Sequence, residues 1–444
     1  MSQFDTKIIH LGLGRFHRGH QAVYLERLCE KMGKSWGVVS CSMRSPGARD
    51  ELSNVLNRYP VIEFNESGSE MIWVESVQKA LDAQEDREEL LSLFQSSEIE
   101  LITLTITEKG YCLNGKGEID LLNPSIAHDL KHPLEPKSAI GILALGLKTR
   151  SENKAQPLTV LSCDNLRENG KKLEKALLTY LEKLEWGNVL RWTKNEVSFP
   201  CSMVDRIVPS LSPEKTQSLE KEFGLSSPSE LIATESFSQW VIEDHFKGQK
   251  PLLEKVGVQF VKDVTPFEDM KLRLLNAAHS YLAYQGQLKG HKYVHEAMKD
   301  EELASDLKTL MLEEVAPLLK QPQGVDFKVY VESLLKRFQN PYLPHELRQI
   351  AMDGSQKISQ RWLPSLIEAQ KKGLSRKVLL KAVSAWLEFC YKNSKLDDPL
   401  NEKIQSFNRD DHHQWLQEML KIDSFAGLNE MPELRNEILN ESRA

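Results

Sequence analysis

Two kinds of hydrophobic spacing divide the chain. Up to about residue 262, short apolar runs alternate with stretches of helical spacing; beyond Thr265 the helical spacing prevails and strand-like runs nearly vanish. Lys7–Leu11, Trp36–Met43, Glu100–Thr105 and Leu158–Ser162 are short, largely apolar runs, which is how buried parallel strands read. Helical stretches at 21–32 and 138–148 separate them, and this alternation predicts an open, largely parallel α/β sheet. Val61–Phe64 and Met71–Val74, joined by Asn65–Glu70, predict a hairpin, and Ser198–Pro209 reads as strand-like. After the boundary, helices are predicted at 301–319, 326–338, 347–352, 357–371, 375–392 and 412–420. The expectation is two domains, 1–262 and 263–444, packed together with the site between them.

The second part opens on the stretch that organises the rest, Thr265 to Gly286. Thr265 as N-cap, Pro266 in the first turn and Glu268 three residues after the cap predict a helix start, and Gly286 a stop. At about 100° per residue, Lys271, Asn276 and His279 fall on one side of that helix, surrounded by leucines and alanines. A helix apolar on most sides is buried. Burial disfavours an ammonium and moves a lysine toward the neutral amine that can act as a base. The same pattern also fits a lysine reaching out to water beside a core histidine.

Composition narrows the class. The chain has 444 residues, 40% of them hydrophobic, and a formal charge of −7 with no basic block, which argues against nucleic-acid binding. No apolar run is long enough to span a bilayer and no leader pattern precedes the first strand, so a soluble cytoplasmic protein is expected. Six scattered cysteines without a Cys-x-x-Cys pair read as free thiols. No metal site is expected.

Candidate chemistry clusters after strand ends. Lys7–Leu11 runs into Gly12-Leu13-Gly14-Arg15-Phe16-His17, a strand, a Gly-x-Gly turn and a helix start, as dinucleotide-binding units have. His17 stands where the third glycine belongs. After the second strand comes Ser42-Met43-Arg44, with no acid to hold a ribose, and Arg44 can pair with a 2′-phosphate, so both NAD and NADP stay open. Thr107-Glu108-Lys109-Gly110-Tyr111 and Cys163-Asp164-Asn165 follow two further strands, and Asp205 and Arg206, adjacent on a strand, need partners on opposite faces.

Together the Gly12-x-Gly14 turn with Phe16-His17-Arg18, Thr107–Tyr111, Cys163-Asp164-Asn165 with Asn169-Gly170, Met203–Ile207, Lys271 through His279, and Asp353–Lys357 resemble the polyol-specific long-chain dehydrogenase/reductase family over nearly the full chain. The resemblance implies a Rossmann-type N-terminal domain, a mostly α-helical C-terminal domain, and metal-independent hydride transfer between NAD or NADP and a secondary alcohol of a polyol or sugar acid. Carried over by position, Lys271 matches the general acid/base, and Asn165 and Asn276 the pair holding the reacting oxygen. His279 matches a substrate-orienting donor and Glu108 a carboxylate that moves protons between lysine and solvent. Gly12, Gly14, Phe16, His17, Arg44 and Asp205 are expected at the cofactor; Val204, Lys357, Lys109 and Gln349 are expected at the substrate. Lys109 resembles the branch that reduces D-fructuronate to D-mannonate, and a lysine there can pair with a uronate carboxylate. Gln349 likewise departs from an arginine that the D-mannitol/D-fructose branch uses for substrate, and that branch is the alternative. A dinucleotide-binding sensor without turnover is the reading of another class. A monomer is the family's default.

Overall fold

The computed structural model describes residues 3–65, 68–153, 155–226, 228–342 and 344–442. It divides into two compact units, Met1–Val264 and Thr265–Ala444. The first carries a six-stranded parallel sheet in the order Val77–Asp82, Ser35–Ser42, Phe4–Leu11, Leu101–Leu104, Leu158–Ser162, Val197–Ser198. Counted along the chain this is the order 3-2-1-4-5-6 of the Rossmann fold, and the direction of winding reverses between Phe4–Leu11 and Leu101–Leu104.

The apolar runs are buried on both faces because successive residues point opposite ways. Ile9, Leu11, Ile102, Leu104 and Val160 pack with Leu90, Phe94 and the helix Ala139–Glu152. Ile8, Leu101 and Leu161 pack with Tyr24, Leu25 and Leu28 of the helix Gln21–Met32. The expected hairpin forms as Tyr59–Asn65 against Gly68–Val74, joined by Ile232–Glu235 in a second sheet. Glu66 and Ser67 of its turn lie outside the described residues. Of the strand-like stretch 198–209, Ser198 ends the last strand of the first sheet and Ser202–Asp205 becomes a strand of a third, antiparallel to Gln239–Glu243.

The second unit is helical. Its central helix runs through Thr265–Met270, Lys271–Asn276 and Ala277–Leu288, with Ala277 to Tyr284 all buried. Gly286 does not end it. A Cβ there would come within 2.7 Å of Leu347 Cδ1 and 3.2 Å of Ala297 Cβ, so the glycine sits inside the helix where neighbouring elements approach closely. The predicted helix 357–371 is two helices, Gly354–Arg361 and Leu363–Lys372, meeting at the fully buried Trp362. No helix among the described residues is long and apolar enough to cross a membrane.

Candidate active site

The Gly-x-Gly turn leaves the central strand at the point where the sheet reverses direction. Gly12 has φ +109°, and a Cβ on it would lie 2.1 Å from Thr105 O, so only glycine fits. Gly12 and Leu13 N–H both donate to Cys41 O (2.8 and 3.1 Å), while Thr105 Oγ1 and Gly14 N–H donate to Gly12 O. Gly14 is exposed, and a Cβ there would meet nothing closer than Gly12 O at 3.8 Å. That open cradle at a helix start fits the pyrophosphate of a dinucleotide, which needs backbone amides within reach and no side chain in the way.

His17 does the work of the missing third glycine by another route. It is 1% exposed, its ring lies parallel to His10 at 3.5 Å, and its Nε2 meets Ser40 Oγ at 2.8 Å. A glycine would bring helix and strand together by absence of a side chain; here two flat rings stack instead. His10 contacts Thr103 Oγ1, Thr105 Oγ1 and Gly12 O. Burial lowers the pKa of His10 to about 3 and that of His17 well below its ordinary value, so both rings are neutral. Phe16 is half-buried against His20, and Arg44 is exposed beyond the strand Ser35–Ser42.

Beyond the strands Leu101–Leu104 and Leu158–Ser162, one buried carboxylate ties two polar loops together. Asp164 accepts from Ile106 N–H (3.0 Å), Thr107 N–H (2.7 Å) and Tyr111 O–H (2.7 Å). Burial raises its pKa, and these three donors oppose the rise. Thr107 is held at φ +65°, a left-handed conformation that a β-branched residue adopts only under outside constraint. The turn so fixed presents Glu108 and Lys109 to the surface, and Asn165, next to Asp164, is exposed as well. Fully buried Asn169 bonds Ser162 O, Asp164 O and Ser202 O, joining this loop to the strand that carries Val204 and Asp205, both buried. Arg206 turns away from that strand to Glu63, Gly19 O and Glu235 O.

In the second unit, Lys271 to Asn276 form a π-helical turn inside the central helix, with Ala277 N–H bonded to Leu272 O, five residues back. An angular spacing worked out at 100° per residue does not hold across this turn, which lies between the lysine and the asparagine. Its far end is pinned from the next layer: Arg361 Nη1 donates to Asn276 O (3.0 Å) and Ser280 Oγ (2.7 Å), and Trp362 Nε1 to Ala277 O (3.1 Å). Lys271 and Asn276 are half-buried. His279 is 7% exposed, tilted against Phe338 at 4.5 Å and edge-on to His345 at 5.6 Å. Burial lowers its pKa well below the ordinary value, and His345, Arg337, Arg361 and Lys271 add to the effect. Lys357 is half-buried and donates to Ile350 O and Met352 O; Gln349 is exposed.

Residues 6–255 match the mannitol dehydrogenase Rossmann domain and residues 263–444 the mannitol dehydrogenase C-terminal domain. The chain belongs to the mannitol dehydrogenase family. It is 38% identical over 418 residues to the D-mannonate oxidoreductase of Escherichia coli (strain K12), covering 92% of this chain and 86% of that one. With the mannitol 2-dehydrogenase of Pyricularia oryzae it shares 37% over 415 residues, covering 90% and 82%. Among solved structures, the Pseudomonas fluorescens mannitol 2-dehydrogenase in ternary complex with NAD and D-mannitol is similar at a TM-score of 0.87 and 32% identity, over 100% of this chain and 92% of that one.

The chain is thus an oxidoreductase of the mannitol dehydrogenase family, and several of its site-building residues escape a reading of the sequence. Asp164 and Asn169 stand inside polar strings whose place after a strand is visible, but their partners are not. His10 is hidden in an apolar run. Arg361, Trp362 and His345 carry no local signal at all.

Proposed function

We propose that this member of the mannitol dehydrogenase family interconverts D-mannonate and D-fructuronate with NAD or NADP, without a metal. The observation that carries the reading is the charge around the neutral imidazoles of the second unit. Lys271, Arg337 and Arg361 act on His279, and Lys357 acts on His345. Cationic surroundings favour a sugar acid over a neutral polyol, because a carboxylate there gains charge-assisted contacts. In the first unit, Lys109 is exposed on the turn held by Asp164, and by its resemblance to the fructuronate-reducing branch it is the lysine that pairs with a uronate carboxylate.

The nicotinamide ring, when bound, accepts or donates the hydride. In oxidation, Lys271 as the free amine takes the hydroxyl proton, and in reduction the ammonium returns it. Asn165 and Asn276 donate N–H groups to the oxygen as charge develops on it, a contribution of about 3 kcal/mol per donor. His279 orients the substrate, and Glu108 passes the proton to solvent. Gly12 and Gly14 leave room for the pyrophosphate. Phe16, Arg44 and Asp205 complete the cofactor's surroundings, His17 supports the turn, and Val204 and Lys357 lie at the substrate.

A second reading, interconversion of D-mannitol and D-fructose, is supported by the near-equal identity to relatives of both kinds. Nicotinamide absorbance decay decides between them, crossing NADH and NADPH with D-fructuronate, D-tagaturonate and D-fructose. Preference for D-fructuronate is expected. Preference for D-fructose overturns the sugar-acid reading, and cofactor binding without turnover of any of the three favours a sensor.

A further inference from the structure

Two neighbouring imidazoles of the second unit each carry a nitrogen without a partner among the described residues: Nε2 of His279 and Nδ1 of His345, both shielded from solvent. Leaving a buried polar atom unpaired costs about 1–3 kcal/mol, so one on each of two neighbouring rings points to partners that a ligand supplies. The two rings meet edge-on with centroids 5.6 Å apart, and Phe338 backs His279 at 4.5 Å. His345 is set on a rigid base. Its carbonyl accepts from Val294 N–H at 3.0 Å, and Glu346 beside it pairs with Tyr293 in an isolated antiparallel bridge.

Both rings are neutral: burial, helped by Lys357, lowers the pKa of His345 to about 4, and His279 lies well below its ordinary value. A neutral imidazole has one N–H and one lone pair, so it can give and take with a hydroxyl, which is itself both donor and acceptor. A carboxylate only accepts, and the cations nearby suit it better than these rings do.

We propose that His345 is a second substrate-binding imidazole, which with His279 holds two neighbouring hydroxyls of the sugar chain, while the lysines and arginines attend to the carboxylate. The inference rests on the sugar-substrate reading but not on which sugar it is. It makes His345 a specificity determinant for the configuration of the carbons next to the reacting one.

The test compares His345→Phe, which fills the space without a polar atom, with His345→Asn, whose amide takes the place of Nδ1. For whichever of D-fructuronate or D-fructose the unaltered enzyme reduces, His345→Phe is expected to raise KM about tenfold, the equivalent of one lost hydrogen bond. His345→Asn should return most of that loss. The Kd for NADH stays unchanged in both variants, which a general loosening of the fold would not allow. An unchanged KM in His345→Phe overturns the proposal and leaves a bridging water as the partner; a raised KM that Asn does not restore overturns it in favour of packing. Reduction of D-fructose alone removes the sugar-acid reading while still judging His345. Should neither sugar be reduced, calorimetric Kd values for D-mannonate and D-mannitol in the presence of NAD take the place of KM, with the same outcomes.

Discussion

Acidifying the protein from pH 7 toward pH 4.5 loads the stacked pair of His10 and His17 at the base of the dinucleotide turn. Each ring is neutral in the fold and gains a proton readily once unfolded, because burial lowers the folded pKa, for His10 to about 3. The sign follows: a depressed pKa stabilises the fold above the unfolded value near 6.5, and that stability is lost as the pH falls from there toward the folded value. Each histidine so buried contributes a slope of about 1.4 kcal/mol per pH unit, and the two together about 3. Glu26 works the other way. Its pKa is raised to about 6 by burial, so its contribution is present below about 4.5, is lost as pH rises through 6, and returns on acidification. Asp164, also raised, has the same sign as Glu26. Two histidines over two pH units, less Glu26 over one and a half, leave a loss of about 3.5 kcal/mol from these three groups by pH 4.5, to which His279 and His345 add with the same sign, a large share of an ordinary domain's 5–15. His10→Gln keeps an amide among Thr103, Thr105 and Gly12 O but cannot take up the proton. Urea unfolding followed by tryptophan fluorescence between pH 7 and pH 5 should show its stability falling less steeply than in the unaltered chain, by about 1.4 kcal/mol per pH unit. Equal slopes in the two proteins would refute the reasoning, since His10 would then be protonated equally in both states.

Three other perturbations probe the remaining geometry. Asp164→Asn turns one acceptor into a donor facing Ile106 or Thr107 N–H, at a cost of about 2–3 kcal/mol. Its melting temperature and kcat should both fall as the Glu108–Lys109 turn relaxes, and an unchanged kcat would show that the turn holds itself. Gly12→Ala sets a Cβ 2.1 Å from Thr105 O at φ +109°, so nicotinamide binding measured by fluorescence should be lost; retained binding would mean that the turn can be rebuilt. Trp362→Phe removes the 3.1 Å bond to Ala277 O, worth about 1 kcal/mol, together with part of a fully buried ring, so some loss of stability accompanies it. Lower kcat at unaltered Kd for NADH is expected if that bond positions Asn276, and unaltered kcat would mean that Arg361 holds the junction alone.

The division into an α/β unit and a helical unit follows from local periodicity. The strand segments 8–11 and 158–162 are largely apolar because both faces are covered, and the helix Ala277–Leu288 is largely apolar because it is buried. Gly12 is also local: the turn needs a positive φ beside a carbonyl, and only one residue type supplies it. Lys271, Asn276 and His279 can be named from their place on that helix, and the polar strings after strand ends mark where a parallel sheet keeps its chemistry.

What periodicity leaves out is partnership. Asp164 meets Thr107 from 57 positions away, Arg361 reaches Asn276 from 85, and His17 meets Ser40 through a stack that no spacing encodes. Whether Gly286 ends a helix or lets Leu347 approach it depends on what packs there, not on its neighbours in sequence. The π turn belongs to the same class, since its widened spacing is held at the Asn276–Ala277 junction by side chains from another helix. Residue type and period are properties of a segment, so the sequence alone determines which elements form and which carry polar chemistry. Where a buried polar group finds its partner depends on how distant segments pack, and that only the tertiary structure decided.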